Sequence, residues 1–131
     1  MKTIGALVLV VASIATAASG RWKPEYAQLP EDVRDWYRSA ELTAPAQERF
    51  GFKSCCDSSD VVKSQFRVDR TTGADQWFYL KDGVFLPIPP DIIHWGEHAP
   101  DNQPTLFALA HQIGSHQAGE LTCFYPPDGG I

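Results

Sequence analysis

Gln76-Trp77-Phe78-Tyr79-Leu80-Lys81-Asp82-Gly83-Val84-Phe85-Leu86-Pro87-Ile88-Pro89-Pro90 reads as two short apolar strands joined by a tight turn. Asp-Gly is a strong two-residue hairpin signal, because both central positions of a type I′ turn need positive φ. That turn sets the register: Lys81 opposite Val84, Tyr79 opposite Leu86, Trp77 opposite Ile88. Side chains alternate along a strand, so Trp77, Tyr79, Val84, Leu86 and Ile88 share one face and Phe78, Leu80, Phe85 and Pro87 the other. Both faces are apolar. The expectation is that the N-terminal half covers one of them, and that the C-terminal half or a ligand covers the other.

Upstream, Trp22 to Leu29 is interrupted by proline and reads as extended. Pro30, Glu31 and Asp32 suit the first turn of a helix, where the missing N–H costs nothing and acidic groups meet the positive end of the dipole. Val33, Trp36, Tyr37 and Ala40 then fall at i, i+3, i+4 and i+7, an apolar stripe expected to pack on the hairpin. Ala44-Pro45 is read as ending this helix, with Ala46 to Phe52 a linker holding at most one further turn. Ser54 to Asp60 is turn chemistry, and Asp57, Asp60, Asp69 and Asp75 lack the spacing of a calcium loop. Val62, Ser64, Phe66 and Val68 alternate with polar residues and predict one strand.

Beyond the hairpin, Pro89-Pro90 stops the ladder and Asp91 to Pro104 is irregular. Thr105 to Ala110 suits a buried strand, though six residues do not exclude a helix, and Leu121 to Tyr125 reads as the last strand, with a loop from Gln112 to Glu120 between them. The expected architecture is α+β. One N-terminal helix packs on a small curled antiparallel sheet of about five strands, a partly open barrel.

The chain has 131 residues, the length of one domain. A short basic start, an apolar run from Ile4 to Ile14 and the small-x-small triplet Ala15-Thr16-Ala17 read as a secretory signal peptide over residues 1–17. The run is too short for a membrane span, so none is expected after cleavage. Residues 18–131 are then a single exported domain, periplasmic or secreted. The net charge of −5 and the absence of a basic run argue against nucleic acid or anionic lipid as the partner. Outside the cytoplasm the three cysteines predict a bridge from Cys123 to either Cys55 or Cys56. It would close a loop of nearly seventy residues, worth on the order of 4 kcal/mol in the chain-entropy model.

Four segments also occur in a familiar order: Asp35-Trp36-Tyr37-Arg38-Ser39, Ser54-Cys55-Cys56-Asp57, Pro87-Ile88-Pro89-Pro90 with Ile92 to Trp95, and Cys123-Phe124-Tyr125-Pro126-Pro127. Behind a signal peptide, this order resembles a family of small exported alphaproteobacterial proteins. The resemblance implies export and carries no established activity. Some members hold a further Cys soon after the Cys-Cys pair; here Ser58-Ser59-Asp60-Val61-Val62 has none.

Few residues are candidates for chemistry. His94-Trp95-Gly96-Glu97-His98 matches the H-x-x-E-H pattern of a zinc peptidase class, but Gly96 and Pro100 oppose the helix that this pattern needs. His94, His98, His111 and His116 all lie in the last third and form a candidate metal cluster. Cys56, with His94 or His111 as base, is a candidate nucleophile if it opens a helix. Phe85 and Trp95 are the centre of an expected exposed aromatic patch. No phosphate loop, dinucleotide fingerprint or Ser-His-Asp pattern is present, so no cofactor is expected. The reading is a disulfide-stapled, non-catalytic binding or envelope-associated module whose partner is an envelope protein or glycan. The alternatives are a Cys-His cell-wall hydrolase and a histidine-rich periplasmic metal-binding protein.

Overall fold

A computed structural model describes residues 28–129, and the expected signal peptide over residues 1–17 lies outside the described residues. The elements are α1 (Glu31–Ser39), α2 (Ala44–Phe50), β1 (Ser59–Val62), β2 (Phe66–Asp69), β3 (Gln76–Lys81), β4 (Val84–Pro87), a 3-10 turn (Pro90–Ile92), β5 (Thr105–Leu109) and β6 (Leu121–Tyr125). The fold is α+β, as expected. The single curled sheet is not found. Among the described residues there are two antiparallel sheets of three strands each, ordered β1-β5-β6 and β2-β3-β4, and they do not close into a barrel.

The β3–β4 hairpin has the register its turn dictates, with Tyr79 opposite Leu86 and Lys81 opposite Val84. Asp82 and Gly83 take φ of 51° and 81°, the left-handed pair that a type I′ turn requires. Trp77, Tyr79 and Ile88 are buried, whereas Val84 at the tip is 57% exposed. The opposite face is not covered by the C-terminal half. Phe78 and Phe85 remain half-buried there, beneath the guanidinium of Arg67 at 5.6 and 4.4 Å from the ring centroids.

The two sheets arise because the stretch read as one strand is two. β1 pairs with β5 and β2 pairs with β3, so the chain crosses between sheets at Lys63-Ser64-Gln65. Ser64 makes the corner: its hydroxyl donates to the Leu80 carbonyl at 2.6 Å and accepts from the Leu80 N–H at 3.0 Å. The alternation of Val62, Ser64, Phe66 and Val68 continues through the corner, which is why the pattern did not reveal it.

Pro45 likewise opens a helix where it was expected to end one. Thr43 caps α2 by accepting from the Ala46 N–H at 3.2 Å, and its hydroxyl donates to the Asp91 carbonyl. Proline fits the first turn because its absent N–H would have no intrahelical partner. The intervening strand-like segment then pairs with the chain returning from α2. Leu42 N–H donates to the Lys53 carbonyl at 2.8 Å and Cys55 N–H to the Ala40 carbonyl at 2.9 Å.

The stripe on α1 is buried at Val33 and Tyr37 and continues to Ala40, but it does not rest on the hairpin. It packs on β5 and β6, with Tyr37 edge-on to Phe107 at 5.9 Å and Trp36 edge-on to Tyr125 at 4.6 Å. Phe124, on the other face of β6, meets Trp77 and Phe66, each at 5.4 Å. The β1-β5-β6 sheet is therefore a middle layer, helix on one side and second sheet on the other. A bulge between Phe107 and Ala108 is accommodated by buried Thr122, whose hydroxyl lies 3.3 Å from the Phe107 carbonyl and 3.0 Å from the Ser59 hydroxyl.

The bridge is Cys55–Cys123, spanning 68 residues, with both cysteines fully buried. Cys56 stands outside it, half-buried. Peptide mapping should find this pairing. Replacing both bridged residues in Cys55→Ala/Cys123→Ala should lower unfolding free energy by on the order of 4 kcal/mol, read as a fall in the urea midpoint.

Candidate functional site

His94 is placed by three successive local rules. Pro89-Pro90 ends the hairpin and starts the 3-10 turn, which buries Ile92. Ile93 then bridges in parallel to Phe124, and the His94 N–H donates to the Phe124 carbonyl at 2.9 Å. Finally, His94-Trp95-Gly96-Glu97 is a turn, closed by Glu97 N–H to the His94 carbonyl at 3.3 Å. Gly96 sits at its third position with φ of 80°, where a type II turn needs a residue without a Cβ. The H-x-x-E spacing is thus a tight turn and not a helix.

This turn sends its side chains in different directions. The His94 imidazole is buried and stacks on Tyr125, ring centroids 3.9 Å apart and planes 4° from parallel. The Glu97 carboxylate comes back to within 3.7 Å of His94 Nδ1. Trp95 projects outward and is 51% exposed. An open groove of about 600 Å³ results, lined by Trp36, Glu41, His94, Trp95, Glu97 and Tyr125 among others. A smaller cavity of about 210 Å³ also involves Trp95 and Glu97, together with Arg70, Asp75 and buried Trp77.

The electrostatics of the groove floor follow from burial. Burial pushes the His94 imidazole below its ordinary value of 6.5, and the nearby Glu97 carboxylate opposes but does not cancel that effect. Burial raises the Tyr125 phenol, and the charge of Glu97 raises it further. The phenol stays protonated and donates to the Glu41 carbonyl at 3.1 Å. His94 Nε2 has no hydrogen-bond partner among the described residues, although it is buried. Such an orphan costs about 1–3 kcal/mol.

The four histidines do not gather. His98 is exposed and its Nδ1 lies 3.2 Å from the Ala99 carbonyl; His111 is exposed after β5. His116 packs on Phe50, with Nδ1 at 3.1 Å from Glu120 and Nε2 at 3.1 Å from the Arg49 carbonyl, so both ring nitrogens are engaged. The group that does converge among the described residues is Cys55, His94 and Cys123, with ligand atoms within 4.8 Å of one another. Cys56 lies in a turn leading straight into β1, so no helix start supports its thiol, and the cysteine beside His94 is the bridged Cys55. Phe85 and Trp95 lie on different sides of the hairpin: Phe85 under Arg67, Trp95 sharing a cavity with Trp77.

Trp95 and His94 were candidates from the sequence, whereas Trp36, Glu41 and Tyr125 were not placed beside them. The turn signal of Gly96 could have revealed the His94–Glu97 pair. Fold and site together define a disulfide-stapled α+β domain with an aromatic and acidic groove. Comparison with protein-family models, curated proteins and solved structures finds no match for this chain.

A test follows from the depressed imidazole. Its folded value lies below its unfolded value, so the unfolded chain takes up the proton first as pH falls. The contribution is complete above about pH 6.5 and is lost below it, at up to about 1.4 kcal/mol per pH unit. Urea midpoints between pH 7 and 5 should therefore fall more steeply for the native protein than for His94→Phe. Equal slopes would remove this assignment.

Proposed function

We propose that the chain is an exported, non-catalytic binding module that holds a glycan of the cell envelope in the groove between Trp36 and Trp95. The observation that carries this reading is the exposure of Trp95, 51% accessible at the edge of a groove with carboxylates beside it. An indole offers a flat apolar face on which a sugar ring can rest. Glu41 and Glu97 offer acceptors for ring hydroxyls. Trp36 and Tyr125 fix the groove wall through their edge-on contact, so little ordering remains for binding to impose.

Export rests on the leader pattern, and two further features are compatible with it. The Cys55–Cys123 disulfide is a bond that persists in oxidising compartments. No helix among the described residues is long and apolar enough to cross a membrane. The resemblance to small exported alphaproteobacterial proteins points the same way. N-terminal sequencing of the protein recovered from an expressing bacterium's periplasm or medium should begin at Ala18; retention of Met1 would refute export.

Titration of the mature protein with β-1,4-linked N-acetylglucosamine oligomers should change its tryptophan fluorescence saturably. Trp95→Ala should weaken binding at least tenfold, about 1.4 kcal/mol, without shifting the melting midpoint. No saturable change, or binding that is indifferent to Trp95→Ala, would sink the glycan reading.

A further inference from the structure

We propose that Cys55, Cys123 and His94 are a latent zinc site, closed while the disulfide is intact and opened by its reduction. This is independent of what the groove binds. Both sulfurs are fully buried, the imidazole is 8% exposed, and the three ligand atoms lie within 4.8 Å of one another. Two thiolates and an imidazole are donors suited to Zn²⁺. Bonds of about 2.3 Å to sulfur and 2.0–2.1 Å to nitrogen set tetrahedral donors roughly 3.5–4 Å apart. Side-chain adjustment of the kind that follows S–S cleavage covers the remaining difference.

The second observation is the unpartnered nitrogen. His94 is more than nine-tenths buried, and its Nε2 makes no hydrogen bond of ordinary geometry among the described residues, although the Glu41 backbone interacts with the ring. Its Nδ1 faces the Glu97 carboxylate at 3.7 Å. At that distance the carboxylate's charge favours a proton on Nδ1 without a hydrogen bond, and that tautomer leaves the lone pair on Nε2, the one a metal would use. The backbones that carry the sulfurs do not depend on the S–S bond alone. Cys55 N–H is held by the Ala40 carbonyl at 2.9 Å, and Cys123 sits in β6 opposite Phe107. A water from the groove side would complete the four ligands.

The chemistry balances with a dithiol as reductant. It delivers two electrons and two protons, becoming a disulfide, while Cys55–Cys123 becomes two thiols. Zinc then replaces the two thiol protons, which leave to solvent. The product is a neutral zinc dithiolate bound to the neutral imidazole.

The test uses the full mature chain, reduced with a phosphine, and titrated with Co²⁺ and then Zn²⁺. One equivalent of Co²⁺ should bind with a thiolate-to-metal charge-transfer band and tetrahedral d–d absorption, and Zn²⁺ should displace it. The oxidised chain should show neither band. His94→Phe should weaken binding at least tenfold and alter the d–d spectrum, while Cys56→Ser should change nothing. If the reduced chain unfolds, metal should restore its circular dichroism and raise its melting midpoint. Absence of stoichiometric binding overturns the proposal. So does binding that is lost in Cys56→Ser, is indifferent to His94→Phe, or leaves the chain unfolded.

Discussion

β5 and β6 lie antiparallel in the middle of the molecule, with α1 on one face, the second sheet on the other, β1 along one edge and the Ile93 bridge along the other. Phe107, Cys123 and Tyr125 look toward α1, while Phe124 looks toward the second sheet. A strand pair buried on both sides must be apolar throughout, and Leu106, Phe107, Cys123 and Phe124 are all fully buried. Thr105 and Thr122 are the exceptions: the Thr105 hydroxyl donates to the Gln103 carbonyl, and that of Thr122 is satisfied by Ser59 and the Phe107 carbonyl at the bulge. The disulfide fastens the turn after α2 to this pair. It adds a covalent tie to a connection that is also held by hydrogen bonds to Ala40 and Leu42 and by the Ser54 hydroxyl.

The groove is a consequence of how the outer edge of β6 is covered. A full strand there would have extended the sheet. Instead, a single parallel bridge at Ile93 engages Phe124, and the chain turns away at Gly96. The imidazole is thus held against the Tyr125 ring, and the indole of Trp95 is left in solvent. A buried imidazole with an orphaned nitrogen works against stability. The imidazole lies beside the two sulfurs, one ligand atom of each residue within 4.8 Å of the others. Trp95 has the complementary character: large and apolar, but kept out of the core by a turn that cannot fold back without losing its Gly96 conformation.

Much of this was legible in the residues themselves. The hairpin register followed from Asp82-Gly83, the helical stripe from the spacing of Val33, Trp36, Tyr37 and Ala40, and the last strand from Leu121 to Tyr125. These features are local, because a turn type or a helical period depends on residues a few positions apart. The number of sheets was not legible. Ser64 keeps the polar–apolar alternation while bending the chain, and period-two patterning carries no signal for which neighbour a strand pairs with. The partner of α1 was hidden for the same reason, since an apolar stripe says that it is covered but not by what.

The site divides along the same line. The amino-acid sequence by itself determined that Cys123 should bridge to the Cys55-Cys56 pair, that Trp95 belongs to an irregular polar segment, and that His94 and Glu97 are three residues apart. Only the tertiary structure decided that Cys55 is the bridged member, because the Ala40 carbonyl fixes its backbone under α1. It also decided that His94 stacks on Tyr125 beside the sulfurs, whereas His98, His111 and His116 lie elsewhere. Residues 39 and 68 positions from one another meet only when strands and helices have packed, and no spacing rule reaches across the chain to say which of several chemically equivalent side chains will do so.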